Sequence, residues 1–536
     1  MKRISITFLA LALCAGAWAQ NIGDAFNYSR NEYGGTAKSV GMGNAMTAVG
    51  GDMGSLVFNP AGSAVPYYSQ FVLTPGLAVT SVASQGTALS GSTEPYGFED
   101  YTRKNLTRLI MPQFGFTMQM DNHRRKGLKS WTFGFSGQTT RNFQSQINAC
   151  GTNDRTSYSG YLAALAEGSG YNGAAFDSRD SYWGTTNCPW RGIVGYRSNM
   201  IGTYGGSDKK FLGAAEQART DLSKYIPGLL DQQFSWKRTG FKMDYLFNVA
   251  ANISDWLYIG ANLGMVVMDY ESSINWCEQA QDPSLFTVGF VQSDNSVIET
   301  SFTDLRFRQA DIIEGSGVYL KTGFIAVPVK GLRIGAAIQT PTVMTIEERY
   351  LYDGYTNYSN KLYSASEQSE TGDWQYNLIS PFRYNVGIAY TIGHFGLVSF
   401  DYEACNYRGM HYSAYYDDDD FGQVNYDVKN AMGTSHLLRA GIELKPTPAT
   451  AVRAGYNLTT SPFLADKGVA GTSDQSASFG LGYSSNGSFF ADFALRLSWL
   501  ADAYYMVYPD YGGNLSPEIA TFTNRTEALF TCGWRF

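Results

Sequence analysis

The chain has 536 residues, 44% hydrophobic and 15% aromatic, with 58 Gly, 37 Tyr and a formal net charge of −7. That acidic balance argues against a nucleic-acid partner, and six cysteines are too few for a disulfide scaffold. Only four histidines occur and no metal-ligand spacing appears, so neither metal nor cofactor is expected.

Met1–Gln20, MKRISITFLALALCAGAWAQ, reads as a secretory signal. Lys2-Arg3 form the basic region, Ile4–Leu13 the apolar stretch and Ala17-Trp18-Ala19 the cleavage site. Leu13 is larger than the small residue that lipoprotein processing prefers before a cysteine such as Cys14. Removing residues 1–19 takes the net charge from −7 to −9 and leaves Cys150, Cys188, Cys277, Cys405 and Cys532. Cys150 and Cys188 fall in one long loop, and the sequence leaves their pairing open. Beyond the leader no apolar run approaches the about 18–20 residues of a membrane helix. Abundant Tyr and Gly without helical spans leave a secreted β protein or an outer-membrane barrel.

Gly34–Gly62, GGTAKSVGMGNAMTAVGGDMGSLVFNPAG, is dense in Gly and Ala and ends on Asn59-Pro60-Ala61-Gly62. Such a run suits close approach of main chain to main chain. Gly41-Met42-Gly43 resembles the start of a dinucleotide fingerprint, but position 46 is Met and no hydrophobic strand precedes Gly41.

From Tyr67 onward, segments of about ten residues alternate apolar with polar or small residues, the dyad of a transmembrane barrel. In Pro381–Thr391, Phe382, Tyr384, Val386, Ile388 and Tyr390 share one face; Arg383, Asn385, Gly387, Ala389 and Thr391 share the other. Strands are expected near Tyr67–Ala83, Arg108–Met120, Leu128–Phe143, Trp236–Asn252, Trp256–Ser272, Glu314–Val327 and Leu332–Arg349. Seven more follow near Trp374–Ile392, Phe395–Arg408, Thr434–Lys445, Thr450–Thr459, Gln475–Tyr483, Ser488–Asp502 and Arg525–Phe536. Links alternate between short turns, such as Gly393-His394, and long loops, the largest spanning 144–235. Ser301–Ile312 is assigned to a loop, which keeps the count even at about 14. Unpaired backbone in lipid costs several kcal/mol per group, so the last strand must pair with the first. Phe530, Cys532, Trp534 and Phe536 face one way, and a terminal aromatic such as Phe536 is what barrel-assembly machinery reads.

Asp417–Asp420 reads as a solvated loop rather than a calcium or lipopolysaccharide bridge, since ligands come at alternate spacing. His411 and His436 are read as loop or rim histidines rather than haem ligands. Thr434 and Leu438 beside His436 offer no nucleophile pair, so no enzyme is expected.

The Gly/Ala-rich start Gly34–Asn44, the Asn59-Pro60-Ala61-Gly62 element and a barrel of about 14 strands resemble the FadL/TodX family of outer-membrane transporters. Glu314–Gly317, Leu332–Thr342 and Arg453–Tyr456 are similar to Bacteroidetes-type members. The resemblance implies an all-β, transmembrane antiparallel barrel over 67–536, with residues 20–66 folded inward as a hatch that plugs the lumen. It implies passive uptake of a long-chain fatty acid or aromatic hydrocarbon through an interior pocket, with release through a wall gap at a third-strand kink. Met42, Met46, Val49, Leu56 and Phe58 are the candidate pocket residues, and Gly134 and Gly137 mark the candidate kink. An apolar pocket suffices for capture, because a 16-carbon chain contributes about 12 kcal/mol at about 0.8 kcal/mol per methylene. Expected partners are the hydrophobic ligand, outer-membrane lipid and lipopolysaccharide, and the assembly machinery; the chain is expected to be a monomer. The alternative is a scaffold of the same family that binds exported proteins through its loops, like PorV of type 9 secretion.

Overall fold

The computed structural model describes residues 22–88, 97–184, 187–292, 294, 296–416, 420–464, 473–485 and 488–536. The leader and Asp417–Asp419 lie outside the described residues.

Fourteen antiparallel strands close into one barrel. In chain order they are Gln70–Gly86, Thr102–Asp121, Leu128–Asn142, Leu230–Ile253, Leu257–Ala280 and Val297–Val329. The seventh runs as Leu332–Gln339 and Val343–Tyr358, the eighth as Gly372–Ile379 and Arg383–Ile392, and the ninth as Gly396–Asn406 with His411–Ala414. Thr434–Thr447, Thr450–Thr459, Asp474–Ser485, Phe489–Met506 and Glu518–Arg535 complete the wall. Closure is direct: the first strand pairs with the last, Phe71 opposite Trp534 and Leu77 opposite Ala528.

The period-2 pattern sorts the two faces. Leu263, Leu320, Val386, Phe479 and Phe530 turn outward, while Asn262, Lys321, Asn385, Ser478 and Thr531 of the same strands point into the lumen and are buried. An outward apolar belt over a polar interior is stable only against lipid, so the molecule is a multi-pass outer-membrane β-barrel. No described helix is long and apolar enough to cross a membrane. Short turns crowd one end. At one of them Ser254 and Asp255 both adopt positive φ, which matches the strand twist in a tight hairpin.

The segment Ser301–Ile312, expected in a loop, continues the sixth strand and pairs with the fifth as far as Asp304–Gln279. The hairpin stands above the lipid belt, where backbone pairing persists after the membrane pattern ends, and the strand count stays even. The long loops are not slack. Helix Tyr158–Ser169 buries Tyr158, Leu162 and Ala166 against Phe176, Ile193, Phe211, Trp276, Phe302, Phe307 and Tyr508, forming a folded extracellular cap with its own core. Glu278 of the fifth strand accepts from Tyr158 N (2.6 Å) and Ser157 Oγ (2.6 Å), bracing the start of that helix. All five described cysteines, Cys150 and Cys188 among them, are free thiols.

Candidate functional site

Residues 22–66 enter the barrel and fill it. A helix, Ile22–Ser29, packs beside the helix Gly422–Ala431, and its Phe26 meets Tyr407 and Phe463 edge-on. A second, Ala37–Gly41, is capped by Thr36, whose Oγ1 accepts from Ser39 N (3.0 Å). Asp52 ties the two halves of the plug together by accepting from Thr36 Oγ1 (2.6 Å) and Gly54 N (2.9 Å). Asn59 caps the turn Pro60–Ala64 and donates to Thr47 O and Phe324 O, both at 2.8 Å. The Asn59-Pro60-Ala61-Gly62 element is therefore a clamp between plug and wall: Pro at the first helical position lacks an N–H that would have no partner there.

The wall grips the plug through cations and amides that meet its backbone oxygens. Lys242 Nζ donates to Tyr28 O (2.7 Å) and Arg30 O (2.8 Å), Lys321 Nζ to Val57 O (2.6 Å) and Arg496 Nη1 to Tyr33 O (2.8 Å). Asn262 reaches Leu56 O (2.8 Å) and Asn248 reaches Pro60 O (3.0 Å), while Asp401 accepts from Thr47 N (2.7 Å). Each bond satisfies a carbonyl or amide that irregular chain leaves without a ladder partner. The small residues supply the close approach. Gly43 sits at φ +62, and a Cβ on Gly455 would come within 2.0 Å of Gly43 N.

Charge inside the lumen is organised around two plug contacts. Glu403 accepts from Tyr33 Oη (3.0 Å), Arg383 and Asn385 and pairs with Arg439, whose guanidinium lies 4.6 Å from the Phe58 ring centre. Glu32 meets Arg525 (2.7 Å) and Arg141. Glu403, Arg439 and Glu32 escaped the sequence reading, which placed Arg383 and Asn385 on one polar strand face without partners. The cross-strand pairs Glu443–Arg453 and Arg496–Glu527 were the available signal, once register is known.

The structure brings Met42, Met46, Val49, Leu56 and Phe58 into one apolar cluster with Tyr33, Val266, Met268 and Met344, each 5% exposed or less. They are close-packed. A cleft lies instead beside Tyr28, Ser29 and Asn31 of the plug, walled by Lys242, Asp244, Tyr319, Gln339, Thr342, Ser380 and Arg383 with Val266 and Met344. Its interior of about 10 Å³ admits about one water molecule.

The wall is continuous at Gly134 and Gly137, which pair with Thr117 and Phe114 of the second strand, and it opens only beyond Gln138. The second and third strands pair from Asp121–Ser130 up to Gln113–Gln138 and then part. The third strand keeps its fourth-strand partner through a register shift between Thr139 and Arg141. A Cβ on Gly137 would meet the Phe114 ring at 2.5 Å, so that glycine makes room for a neighbouring aromatic below the parting. The freed edge of the third strand is taken by the plug: Gly34 N donates to Thr139 O (2.8 Å) and Glu32 N to Thr140 O (2.6 Å). Gly34 sits in the breach between Thr139 O and Pro112 of the second strand.

No protein-family model and no curated protein sequence matches the chain. Among solved structures, the chain is similar to the Pseudomonas putida toluene transporter TodX at 12% identity and a TM-score of 0.50, over 94% of this chain and 99% of that one. It is similar to a Pseudomonas aeruginosa FadL homologue at 9% identity and a TM-score of 0.52, with the same coverage of both chains. At such identities the likeness is one of fold.

Proposed function

We propose that this barrel takes up hydrophobic small molecules passively, of the long-chain fatty acid or aromatic hydrocarbon class, with residues 22–66 as the gate. The observation that carries the reading is the breach between the second and third strands with the plug seated in it. A gap in the wall's ladder pairing, crossed by the Thr139 Oγ1 bond to Met111 O (3.1 Å), has no structural use, since it sacrifices backbone pairing that lipid cannot replace. A gated side exit gives it one. The ligand enters beneath the cap, displaces the Tyr28–Asn31 stretch to widen the cleft, and leaves where Gly34 lifts away from Thr139. The apolar cluster around Met46 and Phe58 yields as the plug moves. The full-length likeness to a toluene transporter and to a FadL homologue supports the same class.

A second reading has its own observation. The lumen is packed at Met42, Met46, Val49, Leu56 and Phe58, and the outer loops expose Trp183, Tyr415, Tyr416 and Tyr426, as a scaffold for exported proteins would. Uptake of labelled palmitate and labelled toluene by cells expressing the barrel, beside native mass spectrometry of the purified protein, separates the two. Saturable uptake above barrel-free cells with a co-purified apolar ligand supports transport. No uptake, with exported proteins retained through the loops, overturns it.

A further inference from the structure

We propose that the outer half of the wall breach is a binding site for a phosphorylated glycolipid of the outer leaflet, with Lys104 and Arg108 holding its phosphate. In the first–second strand register, Ala78 faces Arg108, Thr80 faces Leu106 and Val82 faces Lys104. Directly opposed residues share a face. Ala78, Thr80 and Val82 are buried on the lumen side, so Arg108, Leu106 and Lys104 point inward as well. Yet Lys104 and Arg108 are exposed, and Leu106 and Ile110 only half-buried. The third strand leaves the second above Gln113, and its continuation Ser145–Asn153, held by the fourth strand, meets the first two strands again at the top, where Ser84 and Thr102 donate to Asn148 O and Asp100 bridges to Cys150. The lower half of the same strand alternates normally, with Phe116, Met118 and Met120 out and Gly115 and Thr117 in.

The result is a lateral groove with one free strand edge, two inward cations and apolar flooring. Among the described residues neither Lys104 nor Arg108 has an ion-pair or hydrogen-bond partner. Arg103 on the outer face donates to Tyr101 Oη (3.2 Å). The nearby acids are spoken for or lie above: Glu99 accepts from Thr152, and Asp100 sits at the upper end, where its backbone bridges to Cys150.

Height selects the occupant. At about 3.3 Å per residue and a tilt near 40°, the rise from Asp121 is about 33 Å to Arg108 and about 43 Å to Lys104, so the two side chains bracket the headgroup layer above an apolar band about 25 Å tall. Below Arg108, Leu109 (80% exposed) and Met111 face the acyl region. Cations at headgroup level over exposed aliphatic residues match a lipid phosphate with its chains beneath. Sugar hydroxyls and phosphate oxygens also offer hydrogen bonds to the free backbone edge, which neutral acyl chains cannot. The site stands whether or not the barrel transports, because it uses the fixed second strand rather than the plug.

The test is native mass spectrometry of the intact barrel purified from a strain with phosphorylated lipid A, repeated in nanodiscs loaded with lipid A or its dephosphorylated form. Wild type and a Lys361→Gln control should retain the phosphorylated lipid through detergent exchange. Lys104→Gln/Arg108→Gln should retain at least tenfold less, and the dephosphorylated probe should behave like the variant. Heat-modifiable migration confirms that each variant is folded. Equal retention by variant and wild type overturns the proposal. So does loss of a co-purified free carboxylate with the glycolipid unchanged, which would assign the cations to a transported ligand.

Discussion

Gly34→Leu tests the gate at its narrowest point. A Cβ there would lie 3.0 Å from Thr139 O, 3.2 Å from Pro112 O and 3.3 Å from Pro112 Cβ. Both oxygens belong to strand backbone: Thr139 is held opposite Met243 of the fourth strand, and Pro112 is fixed between the Gln113–Thr74 and Ile110–Gly76 pairs. The substitution must therefore lift the plug. Overpacking of this kind costs about 1–3 kcal/mol. The two bonds lost with it, Gly34 N to Thr139 O and Glu32 N to Thr140 O, contribute about 0.5–1.5 kcal/mol each. A net change of about 3 kcal/mol shifts the ratio of seated to lifted plug by about 100-fold, at about 1.4 kcal/mol per tenfold. Glu32 keeps its ion pairs with Arg525 and Arg141, so the segment hinges at the breach instead of leaving the lumen. Hydrogen exchange in reconstituted barrels should show the amides of Glu32 and Gly34 exchanging about 100-fold faster, with unchanged protection at Thr47 and Phe58, whose amides donate to Asp401 and Ser55 O. Uptake of a labelled fatty acid should rise in parallel. Unchanged exchange at both amides would refute the seal, and faster exchange without altered uptake would refute its role as gate.

The remaining expectations follow from the same contacts. Glu403→Gln strands Arg383 and Arg439 in the lumen, with side chains 4% and 1% exposed, and should destabilise the barrel by about 3–5 kcal/mol in urea titrations read by heat-modifiable migration. Asn59→Ala removes the cap on Ala61 N (3.1 Å) and the bonds to Thr47 O and Phe324 O; at about 1 kcal/mol each, proteolysis within residues 45–64 should quicken about 100-fold while the strands stay resistant. In the cap, burial raises the Glu216 carboxyl above its ordinary 4.5, opposed by the hydrogen bond from Gly213. Folding thus favours its acid form: that contribution is present below pH 4.5 and lost as pH rises through the raised value, so cap unfolding followed by Trp fluorescence should ease with pH, and Glu216→Gln should flatten the slope. Cys188 is 3% exposed and burial pushes its thiol up to about 12, so it should resist alkylation at pH 8 until the cap unfolds; labelling as fast as an unfolded peptide would contradict its burial.

Strand existence, number and lipid-facing parity were legible because each depends on neighbours two residues apart. Val386, Ile388 and Tyr390 carry the same message whatever stands across from them. Closure followed from the impossibility of a bare edge in lipid, and Phe71 opposite Trp534 meets that demand. The candidate site was legible only in its materials. The glycines and alanines of Gly34–Gly62 announced close backbone approach, and Gly43 against Gly455 delivers it. That Met42 to Phe58 would pack solid while the cleft opened beside Tyr28–Asn31 depended on where wall cations such as Lys242 and Arg383 project. The same holds for Glu403 between its two arginines, and for the continuation of Ser301–Ile312 in the sixth strand. The breach is the sharpest case. Glu32 and Thr140 lie far apart in the chain, and only barrel register and shear bring the plug to that one free edge. Local periodicity decides which way a residue faces; what it meets there is decided by the closed wall.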